Sequence, residues 1–127
     1  MSYFVPDKIA IKNLLRGPDG MVAKHFHSMG RRATAMAKRQ VGVDTGALKA
    51  SIGYSVRASG GPIMVKIGSA NRIALLHHEG SVPHIIRPVK SQTLRFKTHG
   101  KIVYAKIVHH PGTKPNPYLT TSMRAVI

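Results

Sequence analysis

Positive charge that the chain cannot neutralise by itself is the strongest constraint in this sequence. Its 127 residues include 20 lysines and arginines against 4 acidic residues, a formal net charge of +16 at pH 7. The acids, Asp7, Asp19, Asp44 and Glu79, lie well apart. A compact domain with this imbalance repels itself and attracts polyanions or acidic proteins. Nucleic acid and an acidic neighbouring subunit are therefore both candidate partners.

Length and composition indicate one small globular domain. A chain of 127 residues can form a single core of modest size. It contains no cysteine, which excludes disulfides and thiolate chemistry. No run of about 18 apolar residues exists and the first residues do not resemble a signal peptide, so we expect synthesis in the cytoplasm and no membrane span.

Residues 21–40 carry the clearest helical pattern. Apolar residues recur there at spacings of 4, 3, 4 and 3, which is typical of one helix face. These residues are Val22, Phe26, Met29, Ala33 and Met36. The cations on the opposite side are candidate contacts to DNA or an acidic partner: Lys24, Arg31, Arg32, Lys38 and Arg39. Asp19 is the expected N-cap or near-cap anion. Gly30 weakens the helix by about 1 kcal/mol relative to alanine, but could permit close packing.

A helical turn and a hairpin are predicted to follow. Asp44 or Thr45 can cap a short helical turn over residues 47–49. Alternating apolar residues then predict two antiparallel strands joined by a Gly60-Gly61-Pro62 turn. The alternating residues are Ile52, Tyr54 and Val56 in the first strand and Ile63, Val65 and Ile67 in the second. Residues 73–80 resemble a short helix that ends at Gly80.

Residues 84–110 are predicted to form a second hairpin or meander. Leu94 and Phe96 alternate with Arg95 and Lys97, and His99-Gly100 supplies a turn. In the returning strand, one face is predicted to hold Ile102, Tyr104 and Lys106 and the other Val103, Ala105 and Ile107. One basic face could line a channel or a contact. Its candidate residues are Arg95, Lys97, Lys101 and Lys106.

The two ends of the chain give weaker signals. Residues 111–117 are too rich in proline and glycine for a regular helix. Asn116 followed by Pro117 suits an N-cap and first turn, so residues 118–127 are predicted to be helical. Residues 1–20 fit neither the helical nor the strand period. We expect them to form an N-terminal arm that packs on a neighbour, ahead of a single domain at 21–127.

The sequence gives little sign of catalysis or of a cofactor. It contains neither the G-x-S-x-G elbow nor the phosphate-binding G-x-x-x-x-G-K-[ST] loop. Eight histidines are present, but none of their spacings matches a zinc motif. They are His25, His27, His77, His78, His84, His99, His109 and His110. We therefore expect no catalytic, cofactor-binding or metal-binding residues.

Two alternatives remain open. Small basic proteins can cleave RNA by acid–base catalysis, and His109, His110 and Lys106 could serve in such a ribonuclease or toxin. The same residues suit a strip that binds a nucleic-acid backbone. Aromatic residues are few and tryptophan is absent, so a base-stacking platform is weakly supported. A free nucleic-acid-binding protein of this kind would contact phosphates without reading sequence.

Three stretches resemble the tail-completion, or neck, protein family of long-tailed, siphovirus-like bacteriophages. Residues 43–52 resemble its D-T-G-x-L-[RK]-x-S-[IL] signature, and residues 74–81 its segment ending in E-[FY]-G-[TS], here without the aromatic residue. Residues 110–119 resemble its closing G-T-x-x-x-P-[FY]-[LM] element. The matching residues are Asp44, Thr45, Gly46, Leu48, Ser51, Glu79, Gly80, Gly112, Thr113, Pro117, Tyr118 and Leu119.

The resemblance implies both a fold and a role. It implies an α+β fold in which a long N-terminal helix packs on an antiparallel sheet, with a C-terminal helix. It also implies a virion protein at the head–tail junction, in a ring of six or twelve copies that lets DNA pass. The expected neighbours are head-closure or connector proteins on one side and tail-tube or terminator proteins on the other.

Overall fold

A computed structural model describes residues 2–59 and 61–127, and it confirms the α+β class. The elements in chain order are α1 Lys8–Arg16, α2 Met21–Gln40, α3 Ala47–Ser51, β1 Ile52–Arg57, β2 Met64–Ser69, α4 Ala74–Glu79, β3 His84–Ile86, β4 Leu94–Thr98, β5 Lys101–Ala105, β6 Val108–His110 and α5 Tyr118–Val126. Its strands form antiparallel pairs, β1–β2, β3–β6 and β4–β5. None of the helices in the described ranges is long and apolar enough to cross a membrane.

The chain divides into two compact units. The first, here called the core unit, comprises the residues up to Ala74 together with Pro117–Ile127. The second, here called the inserted unit, comprises Leu75–Asn116.

Helix α2 is the scaffold of the core unit and has the predicted bounds. Its buried residues are Ala23, Met29, Gly30, Ala33 and Ala37. Of the predicted stripe, Met29 and Ala33 are buried, and Val22, Phe26 and Met36 are only partly buried. The helix packs against α5 and against the β1–β2 hairpin. Small residues dominate the buried face because they let these elements approach closely.

Gly30 permits one of these close approaches. A Cβ added at Gly30 would lie less than 3.0 Å from ring atoms of Tyr54 on β1. The Tyr54 ring also meets the His27 ring edge-on, with their centroids 5.9 Å apart. The cost of glycine within a helix is therefore offset by seating an aromatic ring against the α2 backbone.

Two buried clusters form the core of this unit. The larger contains Ala37, Val41, Leu48, Ile52, Ala74 and Tyr118. The smaller contains Met29, Ala33 and Val126. The β1–β2 hairpin is antiparallel, as predicted, and its register runs from Ile52 opposite Ser69 to Arg57 opposite Met64. Gly60 of the predicted turn lies outside the described residues.

Helix α1 occupies part of the segment expected to be an arm. Asp7 caps it, because its Oδ1 accepts hydrogen bonds from the amides of Ile9 and Ala10, each 3.0 Å long. The helix packs on α2 but has no buried residue. Packing of the N-terminal segment on a neighbouring subunit stays a prediction.

The predicted N-cap of α5 is wrong, and Asp19 is a near-cap residue of α2 rather than its N-cap. Gly20, not Asp19, is the N-cap of α2, and Pro117, not Asn116, is the N-cap of α5; neither cap makes a side-chain hydrogen bond. Asn116 instead has its Nδ2 atom 3.3 Å from Nε2 of His77. Each predicted residue lies one position too early, so its side chain is outside the capping geometry.

The cap of the short helix α3 combines two neighbouring residues. Gly46 is the N-cap, in the left-handed conformation with φ of 84°. Thr45 contributes its Oγ1, which accepts a 3.3 Å hydrogen bond from the Ala47 amide. The D-T-G sequence thus begins α3 with glycine at the position where other residues are strained.

The inserted unit contains the β4–β5 hairpin and the β3–β6 pair. His99 and Gly100 join β4 to β5 with φ values of 47° and 79°, the positive angles of a tight hairpin turn. Strand β5 ends at Ala105, so Lys106 and Ile107 lie outside it and the predicted alternation stops there. Every residue of Leu75–Asn116 is described, and none is buried.

Candidate interaction surfaces

The cations of α2 lie along the exposed side of the core unit. Lys24, Arg31, Arg32 and Arg39 are exposed and Lys38 is partly buried. The Arg32 guanidinium donates a 3.3 Å hydrogen bond to the carbonyl of Val126, and Arg39 donates one to Ala35. Arg32 therefore also fastens the end of α5 to α2. The predicted basic side of α2 is exposed except for Lys38, and its Arg32 also contacts a second helix.

The β4–β5 hairpin separates its cations between two faces. Arg95 lies opposite Tyr104 and Lys97 opposite Ile102, so these four side chains share one face. All four are exposed. Lys101 pairs with Thr98 and lies on the other face, with Leu94, Phe96, Val103 and Ala105. Arg95 and Lys97 thus lie on the same face of the hairpin and Lys101 on the opposite face, whereas Lys106 follows the end of β5.

The positive charge has little compensation within the chain. Among residues 2–59 and 61–127, the ion pair found joins His78 Nδ1 to Glu79 Oε1 at 2.7 Å. No lysine or arginine in those ranges lies within 4.0 Å of a carboxylate. These cations are therefore available to anions from outside the molecule.

The first family-like motif shapes the core unit. Leu48 is buried beside Tyr118, which belongs to the third motif, and Leu119 packs against the same cluster. Ser51 Oγ donates a 2.6 Å hydrogen bond to the Leu48 carbonyl and also contacts the hydroxyl of Ser69. Burial raises the pKa of Tyr118. Two motifs far apart in sequence thus meet in one core.

The second and third motifs also meet in the inserted unit. The Ser81 amide donates to the Thr113 carbonyl and the Thr113 amide to the Ser81 carbonyl, each at 3.0 Å. Gly80 and Gly112 flank this bridge with φ values of 78° and 87°. An added Cβ at Gly80 would overlap the Thr113 carbonyl, and one at Gly112 would overlap the Ser81 carbonyl. Both glycines are thus needed for the segments around Ser81 and Thr113 to approach each other closely.

The histidines do not form the predicted ribonuclease pair. His109 lies opposite Ile85 and His110 opposite His84, so the two neighbours project from different faces of β6. The rings of His84 and His110 stack instead, with centroids 4.9 Å apart. The His110 Nδ1 atom accepts a 3.1 Å hydrogen bond from the Gly112 amide. In the described part of the chain, no three potential ligands are placed to hold a metal ion.

One feature of the inserted unit was missed in the sequence. Large aliphatic side chains around α4 and β3 are exposed: Leu75, Leu76, Val82 and Ile85. The signal was present, because residues 73–86 form the longest stretch of the chain without lysine or arginine. This stretch differs from the basic faces and needs a separate explanation.

A scan of protein-family models and searches of curated proteins and solved structures found no match to this chain. The resemblance to phage neck proteins therefore stays a prediction. It depends on the three motifs and their order in the sequence.

Proposed function

We propose that this chain is a non-enzymatic virion protein of a long-tailed phage, forming a ring at the head–tail junction. In this role it completes or joins the tail and lets DNA pass. The observation that carries the proposal is the inserted unit, which has ordered strands and turns but no buried residue. Such a unit gains its stabilising contacts when neighbouring molecules cover it.

A two-stranded hairpin is marginally stable in water unless a further strand or helix covers it. Each strand pair in the inserted unit has two strands, and no helix packs extensively on them in the described structure. Exposed apolar groups such as Ile102 and Tyr104 add to the surface available for partners. A subunit of an assembly would bury these groups against its neighbours.

The charge supports contact with other components. The exposed face of Arg95, Lys97, Ile102 and Tyr104 offers both cations and apolar area. It suits the acidic surface of a head-closure, connector, tail-tube or terminator protein, or the phosphates of DNA in the ring's lumen. No membrane contact is part of this proposal.

Mass measurement after size-exclusion chromatography tests the proposal. The protein is measured alone over a range of concentrations, then after co-expression with the products of genes that flank its own. We expect a ring of six or twelve copies, visible by electron microscopy, or a monomer that joins a ring formed by a neighbour. A protein that stays monomeric in all these mixtures contradicts the proposed role.

A sequence-independent nucleic-acid-binding protein is the second candidate, favoured by the absence of carboxylates near the hairpin cations. Binding to mixed-sequence duplex DNA should then weaken steeply with salt. Each lost phosphate contact should reduce the log–log slope by about 0.9. Replacing both Arg95 and Lys97 with glutamine should remove about two phosphate contacts and so lower the magnitude of the slope by about 1.8. A flat wild-type slope excludes this candidate.

A small ribonuclease or toxin is the remaining alternative. Because His109 and His110 project from different faces of β6, an acid–base pair made from these two side chains has no support in the fold. Cleavage of mixed RNA that is lost in the His109→Ala and His110→Ala variants would restore this alternative. We expect no cleavage.

A further inference from the structure

Charge is unevenly distributed within the inserted unit. Its lysines and arginines are Arg87, Lys90, Arg95, Lys97, Lys101, Lys106 and Lys114. The segments 75–86 and 107–113 contain none of them. These two segments include most of α4, the β3–β6 pair and the Ser81–Thr113 bridge. We call them together the cation-free surface.

Backbone pairing holds the cation-free surface together. Strands β3 and β6 pair from His84 opposite His110 to Ile86 opposite Val108. The Ser81–Thr113 bridge continues this contact beyond the pair. The Asn116 amide also donates a 3.1 Å hydrogen bond to the carbonyl of His77 on α4. The exposed aliphatic groups of the two segments therefore belong to one connected scaffold.

These aliphatic groups are well exposed. Leu76 is 56% exposed, Val82 77% and Ile85 52%. Leu75 and Ile107 are also exposed. Single exposed aliphatic residues are ordinary, but several on a small scaffold without buried residues form a candidate protein-binding surface. The polar groups among them are mainly histidines, with Glu79 paired to His78.

The charge distribution indicates which partner fits this surface. DNA and acidic proteins are drawn to lysine and arginine, which this surface lacks. Two copies of a chain with a formal charge of +16 repel each other most where their cations face each other, and this surface has cations only at its edges, at Arg87, Lys106 and Lys114. The cation-free surface is therefore the part of the inserted unit where a second copy meets the least repulsion.

We propose that a second copy of this chain docks on the cation-free surface. This inference rests on the proposed ring and deepens it by naming the contact between subunits. A ring requires unlike surfaces to meet, so the neighbour contributes a different patch to the same contact. The basic face of the β4–β5 hairpin is then left for DNA or acidic neighbours.

The test places one lysine at matched positions. In Ile85→Lys the new charge falls within the cation-free surface. In the control Val89→Lys it falls between Arg87 and Lys90, at a side chain that is 95% exposed. Leu76→Lys serves as a second, independent variant on α4. Circular dichroism checks that each variant is folded, and mass photometry measures the oligomer fraction.

We expect wild-type protein and Val89→Lys to assemble alike, and Ile85→Lys and Leu76→Lys to need at least about tenfold higher concentration, as for a loss of about 1.4 kcal/mol. If wild-type rings form only with a co-expressed neighbour, the same comparison is made in that complex. Rings that persist in both surface variants overturn the assigned contact and leave the proposed function standing. A wild-type protein that never assembles overturns both.

Discussion

The core unit and the inserted unit differ in how they use apolar side chains. In the core unit, α2, α3, β1 and α5 enclose residues such as Ala37, Leu48 and Tyr118, and Tyr118 is 0% exposed. In the inserted unit, backbone pairing and positive-φ glycines give the chain its shape, and the aliphatic groups are exposed or only partly buried. The difference supports the proposal that the inserted unit obtains its apolar contacts from neighbouring molecules.

Truncating large side chains should give the largest difference between the two units in the free energy of unfolding. Tyr118→Ala should lower the free energy of unfolding by about 3–5 kcal/mol and Leu48→Ala by about 2–5 kcal/mol, because each leaves a cavity. Ile85→Ala and Val89→Ala should change it by less than about 0.5 kcal/mol in the monomer. Urea denaturation measures all four variants. A large loss from Ile85→Ala in a monomer would mean that the inserted unit has a core after all.

Glycine substitutions sharpen the comparison at the backbone. Gly46→Ala should destabilise the core unit by about 1–2 kcal/mol through its positive φ alone, since no atom lies within 4 Å of an added Cβ. Gly112→Ala adds overlap with Ser81, but should leave the unfolding of the core unit unchanged. Its effect should instead appear as shifted amide resonances across residues 80–116. Equal effects of both variants on global unfolding would contradict the division into two units.

Gly30 tests how tightly the core unit is packed. Alanine at a helix interior normally stabilises by about 1 kcal/mol, but overpacking a core costs about 1–3 kcal/mol. Because the added Cβ meets the Tyr54 ring, we expect Gly30→Ala to destabilise by about 1 kcal/mol net. The double variant Gly30→Ala with Tyr54→Ala should show less than the summed loss. Stabilisation by Gly30→Ala alone would show that the ring moves aside freely.

The smallest predicted effect is alkaline destabilisation through Tyr118. Burial raises the folded-state pKa of this phenol above the value of about 10 in the unfolded chain. The associated stability is therefore fully present below pH about 10 and is lost as pH rises through the folded-state pKa. Lysine deprotonation at high pH affects wild type and variant alike. The control is therefore Tyr118→Phe, whose side chain at this position cannot ionise. Melting temperature against pH should fall less steeply for that variant.

The sequence pattern predicted the exact bounds of the long helix but only part of its buried face. The periodic spacing of Val22 to Met36 and the opposing cations specify where α2 begins and ends. Which residues are buried depends on how closely α5 and β1 approach, and this favours Ala23, Ala33 and Ala37. Helix α1 has two signals in the sequence. Ile11, Leu14 and Leu15 have the i, i+3, i+4 spacing of one helix face, although Ile9 lies apart from them. Asp7 caps the helix locally.

The candidate surfaces were predictable in part. Strand alternation correctly groups Arg95 with Lys97, since residues two apart share a face. The position of Lys101 on the other face depends on the register across the His99-Gly100 turn. The absence of buried residues in the inserted unit could not be predicted, because burial is set by tertiary contacts rather than by apolar content. The cation-free stretch was visible in the sequence but not recognised as a surface.

Amide hydrogen exchange of the monomer and the assembly tests the central claim most directly. In the monomer, the amides of α2 should be strongly protected, while the amides of residues 75–116 should exchange with little protection. In the assembly, α2 should be unchanged and residues 75–116 should gain protection, most of all in β3 and β6. Protection of β3 and β6 in the dilute monomer equal to that of α2 would contradict the claim that this unit relies on its neighbours.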